Sequence, residues 1–358
     1  MEKSFRQRVK DFWVAFEKEE AGIRSLMDSK ADAQTLVATM NEVLGVAFTD
    51  PYFQMGINDE GKYELILTPE GDRAKLFQLH YCVQNAPASL LDKWNFYSAK
   101  PGDAKGHNSI EMYDISLSAD DMKLYYEVDE DRSKMNIQVY CPKLMELEEN
   151  KRYNIFFIFL DQFIGELYTM EYIGYIDFVE AEQLVPTVPM VDLKALIEKV
   201  AAEKEWTTLE NPYELFTGYQ LEPTEKEGWQ LREDVYIGMT SCVPAVNKFL
   251  QHDSSLSDEM EADGIVLGFL FYENVNVPQE RMVPQRSEIE DRIMAIAEPQ
   301  GIAYSIGGAT GFYFSYMDFI IYDYEAFISI AKEIFASYNF EETGFSRFVF
   351  GDQPVWLK

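Results

Sequence analysis

The residues in this chain most able to do chemistry are few and widely spaced. Its 358 residues include three histidines and three cysteines. His80 and Cys82 are two apart on an expected helix, so they face different ways. No third ligand is spaced to complete a zinc site with them, which favours an ordinary part-buried histidine beside a core cysteine. His107 and His252 fall in polar loops and are expected to be solvated. Cys141 and Cys242 are too dispersed to form a disulfide framework with Cys82. There is no Gly-x-Ser-x-Gly elbow and no recognisable Cys/His pair. Gly307-Gly308-Ala309-Thr310-Gly311 could cradle a phosphate only if it opened a helix. A strand is expected after it, and no Gly-Lys-Ser/Thr occurs, so the stretch reads as a hairpin turn.

Among 62 acids, neighbouring carboxylates occur by chance, and only two stand out. Glu166 closes an apolar run beside Gly165, where it meets the unfavourable end of a helix dipole. It reads as a ligand-binding or partner-binding acid, or as a solvated helix end. Asp318 interrupts an aromatic strand and needs a partner or a place near the rim. Arg286 and Arg292 stand out in a region poor in bases. Either could hold Asp318 or bind an anion; pairing with Asp318 is preferred, because a buried carboxylate needs compensation. Arg286 and Glu290 are also four apart on an expected helix, a pairing worth a few tenths of a kcal/mol, roughly. Tyr316, with Phe312, Tyr313 and Tyr322, could line an open sheet face used for recognition, or could be core. The binding candidates are therefore Glu166, Arg286, Tyr316 and Asp318, with Trp94 as a fifth. No catalytic residue, metal ligand or cofactor site is nominated.

The elements that position these groups read as α+β. Phe5, Val9, Phe12, Trp13 and Phe16 mark an amphipathic opening helix, and a second helix covers Ala33–Leu44. Strands are expected at Tyr52–Gly56 and Tyr63–Leu67 around the Asn58–Gly61 turn, then a helix to about Gln84 and a short strand Trp94–Ser98. Three more strands follow, Ile110–Leu117, Lys123–Val128 and Asn136–Tyr140, then an apolar helix Asn154–Tyr168 and a strand Tyr172–Val179. This is a mainly antiparallel N-terminal domain with packed helices, residues 1–185. Pro186-Thr187-Val188-Pro189 reads as a linker. In residues 186–358, strand Gly264–Tyr272, a helix opened by a capping box at Ser287–Glu290, the two hairpin strands, a helix capped by Asp323 and strand Phe345–Phe350 give β-α-β-β-α-β, the ferredoxin-like order. An earlier strand, Asp234–Gly238, and a helix near Val243–Gln251 extend it.

The formal net charge is −31, and it is not confined to a tail. Residues 1–200 carry 35 acids against 21 bases, and residues 201–358 carry 27 against 10. Both halves repel polyanions, so direct binding to nucleic acid or an anionic membrane is disfavoured, while a basic protein partner is permitted. No stretch is apolar enough to be a signal core or a membrane span, and a reducing cytoplasm is the expected compartment. Nothing in the pattern sets an oligomeric state.

Several segments carry a resemblance to a family of uncharacterised bacterial cytoplasmic proteins: Glu64–Gly71, Ala86-Pro87 with Trp94 following, Leu160–Glu166, Arg286 with Ile289-Glu290-Asp291, Gly307–Gly311 and Tyr316-Met317-Asp318. The C-terminal half also distantly resembles acidic bacterial regulators that inhibit ribonuclease activity. The resemblance implies a ferredoxin-like C-terminal fold and supplies no catalytic residues. The expected function is a non-enzymatic protein-binding regulator, inhibitor or immunity-type protein. The alternative is an enzyme or small-molecule binder with an interdomain site built from Glu166, Asp318 and Arg286.

Overall fold

The computed structural model describes residues 3–29, 33–103, 109–206, 211–224, 228–274 and 277–358. The chain is mixed α+β and forms two compact units. One comprises Met1–Pro51, Gln84–Asp92 and Asn211–Lys358; the other comprises Tyr52–Val83 and Lys93–Glu210. The units interleave along the chain instead of meeting at residue 185. Helix α1 (Phe5–Asp28) starts where the Ser4 side chain accepts from Gln7 N–H, and it buries Phe5, Val9, Phe12, Trp13 and Phe16 as its spacing requires. Its start is tied to C-terminal residues of its own unit: Phe5 N–H donates to Gly264 O, and the Phe5 ring lies 5.6 Å from Tyr322. Local periodicity carries no information about such distant partners. Helix α2 (Ala33–Leu44) follows.

In the second unit, β1 (Phe53–Ile57) and β2 (Tyr63–Leu67) pair antiparallel across a turn in which Asn58 Oδ1 accepts from Glu60 and Lys62 N–H. Helix α3 (Arg73–Gln84) then crosses over, so β3 (Trp94–Tyr97) joins β2 in parallel. The expected strand Ile110–Leu117 is instead a hairpin of β4 (Ser109–Met112) and β5 (Ile115–Ser118). Positive φ at Tyr113 and Asp114 turns the chain there. A third small sheet follows, with β6 (Lys123–Asp129) antiparallel to β7 (Lys134–Tyr140). After α4 (Pro142–Met145), α5 (Glu149–Phe163) and α6 (Glu166–Tyr172), β8 (Ile173–Phe178) joins β7 in parallel. Leu124, Met135, Ile137, Val139 and Ile176 on one sheet face pack with Ile155, Phe156 and Phe159 of α5. The same core takes Leu193, Ile197 and Val200 of α7 (Leu193–Glu203). Val188, in the expected linker, bridges to Leu124.

The first unit carries a seven-stranded sheet. Its elements are β9 (Thr217–Gln220), β10 (Val235–Thr240), α8 (Val243–Leu250), α9 (Ser255–Ala262), β11 (Val266–Glu273), α10 (Gln279–Ala297), β12 (Ala303–Gly311), β13 (Phe314–Ile321), α11 (Tyr324–Phe335), β14 (Thr343–Arg347) and β15 (Val355–Trp356). The order is β15-β14-β11-β13-β12-β10-β9, with every neighbouring pair antiparallel. Every residue of β13 is buried, as expected for a central strand covered on both faces. Met317, Phe319 and Ile321 face the core with Ile289 and Ile293 of α10 and Phe327, Ala331 and Phe335 of α11.

Two expectations fail here. Helix α10 begins at Gln279, with Pro284 inside it, so Ser287 is mid-helix and caps nothing. Gly307–Gly311 is not the hairpin turn: it lies within β12, and the chain turns at Phe312 and Tyr313, which stay exposed. Among the described residues, no helix is long and apolar enough to cross a membrane.

Candidate functional site

Asp318 is fully buried in β13, and its partner is Arg232, not Arg286 or Arg292. Arg232 Nη1 donates to Asp318 Oδ1 at 2.5 Å, and Nη2 donates to Tyr219 OH at 2.8 Å. The guanidinium lies 4.8–5.9 Å from the ring centroids of Phe249, Phe269, Tyr316 and Phe348. Tyr316 OH accepts from Arg232 N–H and donates to Asp234 Oδ1 at 2.5 Å. Asp234 Oδ2 accepts from Tyr313 and Phe314 N–H, fixing the turn between β12 and β13. A Cβ on Gly311 would sit 2.1 Å from that oxygen, which explains a glycine inside a strand.

Arg286 is buried on α10 and donates to Thr310 Oγ1 at 3.0 Å. Thr310 pairs with Ser315, on the helix-covered face with Met317, whereas Asp318 points to the other face. Arg286 and Asp318 are therefore on opposite sides of one sheet. Glu290 accepts from Ser305 Oγ, and Arg292 Nη1 donates to Ser337 Oγ at 3.1 Å. Tyr316 is fully buried and lines no open face. Trp94 is also buried, 5.2 Å from the Tyr63 ring and stacked 5.9 Å from Phe96. Each of these side chains packs among residues of its own unit.

Glu166 belongs to a different constellation. It starts α6 instead of ending α5, because Gly165 takes φ 91° and breaks the apolar run. The helix dipole therefore favours this carboxylate, reversing the expected sign. Gly165 and Gly102 abut so closely that a Cβ on Gly102 would lie 2.4 Å from the Ile164 backbone, and this contact lays residues 100–103 against the helix junction. Lys100 N–H donates to Glu166 Oε2 at 2.7 Å, Thr68 Oγ1 donates to Oε1 at 2.5 Å, and Glu166 N–H donates back to Lys100 O. Lys100 Nζ lies 3.3 Å from Glu70 Oε1 and 3.7 Å from Glu166 Oε1. Glu166 is 1% exposed, and both of its carboxylate oxygens are engaged by these contacts.

A second carboxylate lies beside this group: Asp161, on α5 ahead of Gly165. Burial pushes its carboxyl up to about 6, against a hydrogen bond with Thr169; the charges on Glu166 and Glu70 raise it further, and Lys100 opposes them. Asp161 and Lys100 line a cavity of about 330 Å³ with Gln54, Ile66, Ile158 and Gln162. A carboxyl group that changes protonation near neutral pH beside a cavity can act as a general acid or base. The sequence did contain a signal for it, an acid inside the apolar run Asn154–Tyr168. The signal for Arg232 was weaker, a single base in a base-poor half next to a segment with no clear periodicity.

His80 is largely buried, which lowers its pKa, and Cys82 is buried, which pushes its thiol up. His252 is exposed, as expected of a polar loop, with its ring stacked on Phe350 at 3.6 Å between centroids, and His107 lies outside the described residues. Among the described residues, no group of three His, Cys, Asp or Glu side chains is arranged to hold a metal ion. No family profile, curated protein or solved structure matches this chain.

Proposed function

We propose that this chain is an acidic, non-catalytic binding protein, a regulator or inhibitor whose partner is a basic protein. The observation that carries the reading is the surplus of 31 negative charges, distributed over both halves of the sequence. The buried charges do not absorb it: Asp318 is matched by Arg232, and Asp234 and Glu166 by hydroxyl and backbone donors. The surface therefore presents a negative field that attracts a basic surface and repels nucleic acid. A cytoplasmic setting is supported by three buried free cysteines. A ferredoxin-like core for the sheet unit is supported by the strand order β14-β11-β13-β12, with α10 and α11 as the crossovers. The likeness to acidic ribonuclease regulators suggests one class of basic partner.

The test is capture on immobilised protein, followed by reconstitution with the purified partner over a range of ionic strength. The expected result is a dissociation constant that rises steeply with salt. A salt-independent complex would refute the electrostatic reading. A second reading, small-molecule binding or acid–base chemistry in the second unit, is favoured by one observation, the Asp161 cavity. Metabolite turnover that disappears in Asp161→Asn would establish it in place of the first.

A further inference from the structure

The β6-β7-β8 sheet has a second face, opposite its core. Leu124, Ile137, Val139 and Ile176 point into the core, so Tyr125, Asn136, Gln138 and Tyr175 point the other way. A cavity of about 460 Å³ opens there, within the size range of small-ligand sites. It is lined by Tyr125, Tyr126, Tyr175, Glu127, Asn136 and Gln138, among others, and no lysine or arginine lines it. Tyr175 is 54% exposed, so its ring is available for contact, whereas Tyr126 pairs with Ile137 and belongs to the core-facing side of the strand. The other parts are braced: Tyr125 OH accepts from Gln183 N–H at 3.0 Å, and Asn136 Oδ1 accepts from Tyr175 N–H at 3.1 Å. Lys134, on the same strand as Asn136 and Gln138, turns its ammonium to the Met170 and Glu171 carbonyls.

We propose that this cavity binds a basic side chain, arginine above all, presented by the protein partner. The inference rests on the reading of the chain as an acidic binding protein and supplies the contact that reading lacks. Tyrosine rings attract a cation to their faces, and a guanidinium stacks on them more readily than an ammonium does. Glu127 supplies the compensating charge and can accept two guanidinium N–H bonds, while the Gln138 amide oxygen is held in place by the Gln183 side-chain amide, which donates to it. A neutral polyhydroxylated ligand could use the same rings and amides, but it would draw nothing from the charge on Glu127.

The test is calorimetric titration of the full chain with an acetylated, amidated oligo-arginine peptide, its citrulline counterpart as the uncharged isostere, and maltotriose. Binding of the arginine peptide alone is expected. Tyr175→Ala and Glu127→Gln should each weaken it about five- to tenfold, while Tyr175→Phe, which keeps the ring face, should bind like the native chain. Thermal unfolding of each variant checks that the fold is intact. If the arginine peptide binds with strong salt dependence but equally to all variants, this cavity is not the contact, and the wider reading survives. If no cationic peptide binds the native chain, both fall. Preferential binding of maltotriose or the citrulline peptide would replace the proposal with a neutral-ligand site.

Discussion

Asp161→Asn isolates one buried titration. The carboxyl moves from its ordinary 3.8 to about 6 in the folded chain, with burial as the main cause. Between these values the folded state keeps a proton that the unfolded state has released. Stability therefore falls as pH rises from about 4 to about 6 and is level above that. A displacement of about 2 pKa units corresponds to about 3 kcal/mol of stability lost by the native chain across this window. Asparagine is neutral throughout and nearly isosteric. The stability difference between variant and native chain should therefore grow by about 2–3 kcal/mol in favour of the variant between pH 4 and pH 7, on the order set by that shift. Urea melts at closely spaced pH values measure it, and comparing the two proteins cancels the other carboxylates. The Asp161 side-chain ¹³C resonance should titrate with a midpoint near 6. A stability difference that stays flat with pH, or a midpoint near the ordinary value, would refute the argument that burial dominates this group.

Three further outcomes follow from the packing. Arg232→Met leaves Asp318 buried and uncompensated and should cost about 3–5 kcal/mol, whereas Arg232→Met with Asp318→Leu should recover most of that loss, as denaturant unfolding of a double-mutant cycle would show. Gly311→Ala drives a methyl group into the Asp234 carboxylate and should destabilise by about 1–3 kcal/mol, while Gly351→Ala, where no atom lies within 4 Å of the added carbon, should cost less despite its positive φ; thermal melts of the pair decide. Cys82, Cys141 and Cys242 are all buried, and burial raises the Cys82 and Cys141 thiols, so iodoacetamide should label native protein slowly and all three in urea; rapid native labelling would contradict this burial.

Much of the secondary structure could be read from local pattern, because periodicity and caps act within a few residues. Helix α1, helix α11 with its Asp323 cap and the doubly buried strand β13 follow from side chains at fixed spacing. The reading of Gly307–Gly311 as a turn failed because glycine meets two different needs. Its freedom of φ suits a turn, but here its missing side chain makes room for Asp234 beside Gly311. Glu166 stood out beside Gly165, but the sign of its dipole was wrong, since only the path of the backbone at Gly165 puts it at a helix start.

By itself the sequence determined the α+β class and the surplus of negative charge. These depend on composition and short-range order. Tertiary structure alone decided which base meets Asp318, which acid takes up a proton near neutral pH, and which tyrosines remain uncovered. Those outcomes depend on burial and on contacts between residues far apart in the chain: Arg232 and Asp318 are 86 residues apart, and Lys100 and Glu166 are 66 apart. The energy of a charge is set by the water it has lost and the partner it has gained, and neither can be read from its neighbours in sequence.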